Sequence, residues 1–275
     1  MNTENPFTIT FGKQPNRQIS RYEATDSIVS TFNAENAVSQ VFMIEGIRGS
    51  GKTVLMTTVA KLLKEDKNWV VINLNPAMDL LSGFAVRLNE AVSNKPEILS
   101  KGFNISAAGF GLGLNGDDKI TDHVGVIEKC LSGLRKKKKR VLITIDEVVH
   151  DENMKVFASQ FQIFLREDYP VFLIMTGLYE NIENLQNERS LTFLYRATKL
   201  HPEPLNTGRV ASRYSEIFNI SYEHALELSR MTRGYPFAFQ ALGFSIWNNG
   251  VEKRDWLPEY RQLLEEYVYE KIWSE

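Results

Sequence analysis

The segment Gly46-Ile47-Arg48-Gly49-Ser50-Gly51-Lys52-Thr53 constrains this chain more than any other. A short apolar run, Val41–Glu45, precedes it, and Leu55, Val59 and Leu62 follow at helical spacing, so it reads as the loop of a strand, loop, helix unit. The spacing is GxxxxGK[ST], in the structural context that motif requires. Glycine lets the backbone curl until successive N–H groups converge, and the helix that follows turns its positive end to the same point. Such a cradle fits the phosphates of ATP or ADP. Gly46, Arg48, Gly49, Ser50 and Gly51 would surround them, with Thr53 and Val54 at the helix start. Lys52 is placed to reach the β- and γ-phosphates, and the Thr53 hydroxyl to help hold Mg2+. The plain alternative is a glycine-rich turn.

Further β-branched runs occur at Trp69–Leu74, 141–145 and 171–175, with helical patterns at 78–93 and 152–167 between them. Strands alternating with helices predict a parallel sheet covered on both faces, an α/β fold. From 103 to 114 the period changes to two, with Phe103, Ile105 and Ala107 in one phase and Phe110, Leu112 and Leu114 in the other. This predicts a β-ribbon insertion with a turn or bulge at 107–109. Gly109, Gly111 and Gly113 invite a second phosphate-loop reading, but no helix follows them directly. After His201-Pro202-Glu203-Pro204 the strand pattern stops, and Thr207–Phe218, 221–231, 237–247 and 259–273 read as helices. The expected division is a core over 1–200 and a small helical domain over 201–275, with Ser221 capping one helix start.

A phosphate loop needs acids at the end of a neighbouring strand. VLITIDE, 141–147, supplies an apolar strand followed by Asp146 and Glu147. Asp146 would orient hydrated magnesium, and Glu147 would polarise an attacking water. A strand-ending acidic turn is the alternative. His150-Asp151-Glu152-Asn153 reads as the cap of the next helix. Thr176 ends the fourth apolar run and would either reach the γ-phosphate and the water, or cap the helix that starts near Leu178.

NPFTITFGKQP before the loop, IDEVV at the acid pair, SLTFLYRATKLHPEPL after the fourth run and TRGYPFAFQALG near the end together span residues 5–243. In this combination the chain resembles AAA+ ATPases, specifically a prokaryotic group related to initiator-type and STAND ATPases. The resemblance implies a five-stranded parallel sheet flanked by helices, with a C-terminal helical lid. It also implies that Phe11, Pro15 and Ile19 lie over the adenine, although the glycine–arginine pair usual beyond this point is not visible in QISRYEAT. Read from its residues alone, Asn5–Pro15 is an aromatic arm packing on the sheet. Arg196 falls where relatives place an arginine that reaches the nucleotide of a neighbouring subunit, with Arg189 as runner-up; a surface ion pair is the alternative. Gly234-Tyr235-Pro236 matches the GxP element of STAND-like lids, so Pro236 would touch the nucleotide and Arg233 would sense the γ-phosphate. Glycine closing one helix and proline opening the next explains those residues equally. Relatives commonly continue into a winged helix; 257–275 shows no wing-like strand pattern, so such a domain is expected to be absent and duplex DNA binding weak.

The formal charge of -2 gives no overall pull toward nucleic acid or an anionic membrane. Arg135-Lys136-Lys137-Lys138-Lys139-Arg140 is the one strong charge block, read either as a nucleic-acid contact or as a solvated helix end favoured by the helix dipole. A single Cys130 excludes an internal disulfide, and four scattered histidines have no metal-ligand spacing. No stretch approaches the ~18 apolar residues of a membrane span, and the N-terminus lacks a signal-peptide pattern, so a cytoplasmic location is expected. The expected function is a Mg-ATP-hydrolysing switch linked to DNA or signalling assemblies, with self-association in the ATP state. The alternative is a nucleotide-dependent scaffold or regulator with little turnover. Phosphate transfer to a metabolite suits the loop but not a glutamate beside the magnesium aspartate.

Overall fold

The computed structural model describes residues 4–10, 19, 21–93 and 122–266. The ribbon expected at 103–114, Phe11, Pro15 and the chain from 267 onward lie outside these residues. The chain divides into two compact units. One comprises Ser27–Glu45 and Met56–Leu200; the other comprises Met1–Asp26, Gly46–Leu55 and His201–Glu275.

The first unit holds a five-stranded sheet. Its strands are β1 (Val41–Glu45), β2 (Trp69–Leu74), β3 (Arg140–Ile145), β4 (Val171–Gly177) and β5 (Thr198–Leu200), in the order β2-β3-β4-β1-β5, every pairing parallel. Every residue of β1 and β4 is buried, as expected of strands covered on both faces. Alternate residues serve alternate faces. Val41, Met43, Ile143, Ile145, Leu173 and Met175 join a core with helices α3 (Leu80–Ser93), α4 (His123–Lys136) and α5 (Glu152–Arg166), where Phe84, Phe157, Phe161 and Phe164 are all buried. Phe42 and Phe172, in the other phase, pack with Trp69 and with Phe32 of α1 (Tyr22–Asn33), at ring separations of 4.9–6.2 Å. At β1 the register pairs Ile44 with Thr176 and Glu45 with Gly177, and at β3 it pairs Ile145 with Met175. The ends of β3 and β4 are thereby level. β5 is short and largely exposed, with the sequence Thr-Lys-Leu, so no apolar run marks it in the sequence.

The second unit holds α7 (Thr207–Phe218), α8 (Tyr222–Met231), α9 (Pro236–Asn249) and α10 (Lys253–Leu264). α9 is apolar nearly all round, which requires neighbours on every side. Tyr214, Phe239 and Trp256 are fully buried in its core, and the Tyr214 hydroxyl donates to the Phe239 carbonyl at 2.7 Å. Burial raises the Tyr214 pKa well above its usual value. Ser221 caps α8 by accepting the His224 N–H at 3.2 Å, as its sequence position predicts.

Two expectations need correction. Of the N-terminal arm, the described residues Asn5, Phe7 and Thr8 pack among these helices rather than on the sheet. Phe7 stacks on Phe218 at 5.6 Å and meets Phe239 edge-on, and a side chain at Gly243 would collide with its ring. The Asn5 amide and the Thr8 N–H bond to Phe244 and Gln240 of α9. The last described helix starts at Lys253 rather than 259 and runs through Pro258. Proline usually stops a helix; here Trp256, fully buried with its indole N–H on the Val251 carbonyl, holds the turn before it.

Candidate functional site

In the unit that carries α7 to α10, the glycine-rich loop leads into the first residues of α2 (Lys52–Glu65). Gly49 and Gly51 have φ of 71° and 88°, a region costly for residues with a Cβ. Lys52 is buried, and its Nζ donates to the carbonyls of Gly46 and Ile47 at 2.7 and 2.8 Å. This fixes the ammonium against the loop's own backbone. Ser50 is also buried, and its Oγ has no hydrogen-bond partner among the described residues. An unmade bond of that kind costs ~1–3 kcal/mol, so an anion accepting from Ser50 suits the loop as it stands. Two further donors come from outside the loop. The Tyr235 hydroxyl donates to the Arg48 carbonyl, and Arg21 Nη2 donates to the Ser50 carbonyl at 2.9 Å.

The Gly234-Tyr235-Pro236 element sits in this unit as well. Arg233 and Gly234 both have positive φ, 49° and 72°, and Pro236 opens α9. The Leu205 N–H donates to the Gly234 carbonyl at 2.7 Å, and a Cβ at Gly234 would stand 2.7 Å from the Leu205 carbonyl oxygen. Glycine is therefore required there by packing as well as by φ. Arg233 is exposed, and its guanidinium has no ion pair among the described residues. Ile19 lines a cavity of about 430 Å³ together with Tyr22, Asn206, Arg209, Ser212 and Tyr222. The Arg209 guanidinium lies over the Tyr22 ring at 5.5 Å.

In the sheet unit, Asp146 and Glu147 leave the end of β3. Thr176, fully buried in β4, ties them together. Its hydroxyl donates to Asp146 Oδ1 and accepts the Glu147 N–H at 3.0 Å, while its carbonyl accepts the Val148 N–H at 2.8 Å. Thr176 does not cap the next helix, α6 (Tyr179–Asn187), whose start has no side-chain cap. Glu147 is exposed and stands at φ 53°, where a non-glycine residue is uncommon. The acid pair is thus held through one hydroxyl on the neighbouring strand. The cap expected at 150–153 is present: Asp151 accepts the Met154 N–H at 2.8 Å. Asn153 also reaches across to accept the Leu80 N–H at 3.0 Å and to donate to the Met78 carbonyl at 2.6 Å.

Arg189 and Arg196 stand exposed at the two ends of a 3₁₀ segment, and neither forms an ion pair among the described residues. The basic block is partly committed to the fold. Arg135 covers Tyr169 at 4.9 Å and donates to the Glu167 carbonyl, Lys139 donates to the Lys67 carbonyl, and Arg140 donates to the carbonyls of Phe32 and Ala34 at the end of α1. A guanidinium on those carbonyls also favours the negative end of the α1 dipole. Lys136, Lys137 and Lys138 remain exposed.

Arg21 and Tyr235 are the residues that sequence reasoning misses. In QISRYEAT a lone arginine just before a helix start is the one signal. In Gly234-Tyr235-Pro236 the glycine and proline account for the chain break, and nothing in the sequence singles out the ring between them.

No family model matches the chain, and no curated protein matches it. Among solved structures, the Aeropyrum pernix ORC2 protein in its ADP form matches 95% of this chain and 72% of its own, at 14% identity and a TM-score of 0.58. Cdc6p from Pyrobaculum aerophilum matches over 95% and 70%, at 12% identity and a TM-score of 0.57. The Aeropyrum pernix ORC1 protein in complex with DNA matches over 94% and 68%, at 14% identity and a TM-score of 0.52.

Proposed function

We propose, from the premise that this chain has the fold of initiator-type AAA+ ATPases, that it is a nucleotide-driven switch that binds and hydrolyses ATP with magnesium. The observation that carries the reading is the loop at 46–53. Its left-handed glycines, a lysine clamped on the loop's own carbonyls, a helix N-terminus and a buried serine hydroxyl without a partner among the described residues all fit a polyphosphate. The ORC2 relative is described in its ADP form, which supports the same ligand class.

In this reading Gly46, Arg48, Gly49, Ser50, Gly51, Thr53 and Val54 line the phosphates, and Lys52 balances their β and γ charges. Thr53 and Asp146 hold magnesium. The metal, when bound, neutralises charge on the phosphate oxygens. Asp146 accepts a hydrogen bond from the Thr176 hydroxyl, so its carboxylate keeps a fixed orientation, and Glu147 would accept a proton from the attacking water. Ile19 and the cavity it lines receive the base, and Pro236 and Arg233 bring the lid to the nucleotide. Arg196 acts on the nucleotide of a second copy, which makes self-association part of the ATP state. The ORC1 relative in complex with DNA supports a DNA-linked role, with Lys136, Lys137 and Lys138 as the exposed cations of the basic block.

The test is phosphate release by the purified chain, with and without duplex DNA, together with sizing in ATP and in ADP. The expected result is measurable turnover and a larger species in ATP. Bound nucleotide without turnover at any DNA concentration would instead favour the scaffold alternative, and a chain that binds no nucleotide would overturn both.

A further inference from the structure

We infer that Tyr235 and Arg21 are positioning residues that hold the glycine-rich loop in its phosphate-binding shape before any ligand arrives. The inference rests on the reading of that loop as the nucleotide site. A trans peptide points the carbonyl of one residue and the N–H of the next in opposite directions. The Arg48 carbonyl is taken by the Tyr235 hydroxyl, which turns the Gly49 N–H to the other side of the loop. The Ser50 carbonyl is taken by Arg21, which turns the Gly51 N–H the same way relative to its own peptide. Gly49 and Gly51 are the two loop residues with left-handed φ besides the entry at Gly46, so the two held peptides are those that shape the cradle.

Both donors are themselves anchored on one short segment. Arg21 spends Nε and Nη2 on the Glu203 carbonyl at 3.1 and 2.8 Å while Nη2 also reaches Ser50. Tyr235 stands at the start of α9, with its N–H on the Thr232 carbonyl at 2.8 Å and its preceding glycine tied to Leu205. Residues 203–205 thus brace both. Burial lowers the Arg21 pKa, against a smaller opposing pull from Glu203, but a guanidinium stays charged across the working pH range. Its planar fork spans Ser50 and Glu203 as a lysine ammonium cannot. A loop that is already shaped spares the ligand the cost of ordering it, so losing either brace lowers affinity by the fraction of loops left competent.

The experiment uses the full chain with magnesium ADP. Tyr235→Phe keeps the ring against Gly49 and deletes one hydroxyl; Arg21→Lys keeps the charge and deletes the fork. Each is expected to weaken ADP about tenfold, to move the β-phosphate ³¹P resonance of bound ADP, and to leave the thermal midpoint of nucleotide-free protein near the parent's. Parent-like affinity and ³¹P shift in both variants, whether or not the midpoint falls, would overturn the positioning role while leaving the nucleotide site standing. A parent chain that binds no ADP would overturn both, so the two failures are separable.

Discussion

The glycine-rich loop and the acid pair are built in contrasting ways. Asp146 and Glu147 are held by their neighbour in the sheet: the β3–β4 register places Thr176 beside them, and one buried hydroxyl serves both. The loop at 46–53 is held by side chains from remote parts of the chain, Arg21 and Tyr235, and its own unit has no strand among the described residues. The acid pair therefore depends on one side chain on the neighbouring strand, whereas the loop depends on two that are remote in sequence, one of them 187 residues away.

Breaking the acid pair should give the larger kinetic effect. Glu147→Gln keeps shape and size but cannot take a proton, so turnover is expected to fall at least ~10²-fold with ATP affinity retained. Equal phosphate release by variant and parent would place the base elsewhere. Thr176→Val sharpens the comparison, because it removes the shared hydroxyl and leaves the strand intact. Turnover should drop about tenfold, and unfolding free energy by ~1–2 kcal/mol for the lost bonds to a charged group and a backbone N–H. Denaturant titration and phosphate release check both; a change in stability alone would reduce Thr176 to a fold residue.

The sheet and its site are unequally legible in the sequence. β1, β3 and β4 announce themselves as apolar runs because both their faces are buried, β2 does so though Asn73 is exposed, and the loop announces itself because its positive φ values favour glycine. β5 is hidden, since three residues at a largely exposed edge need no apolar pattern. Asp146 and Glu147 stand out by following a buried strand, but the role of Thr176 depends on β3–β4 register, which composition does not carry. Arg21 and Tyr235 are invisible for a related reason: each acts on a carbonyl far away in sequence, and one arginine or tyrosine looks like any other until the chain is folded. The block at 135–140 is legible only in part: the sequence leaves a nucleic-acid contact and a solvated helix end open, and the fold engages Arg135, Lys139 and Arg140 with carbonyls and a ring distant in sequence while Lys136, Lys137 and Lys138 stay exposed.

Lys52 is the side chain on which the loop's role as a triphosphate site turns. It spans the carbonyls of Gly46 and Ile47, and it alone among the loop's side chains at 49–53 brings a full positive charge. Calorimetric titration of the parent and of Lys52→Ala with magnesium ATP measures this directly. The expected result is a saturable parent isotherm and at least a tenfold loss in the variant, ~1.4 kcal/mol. Identical affinities in the two proteins would contradict a triphosphate site at this loop.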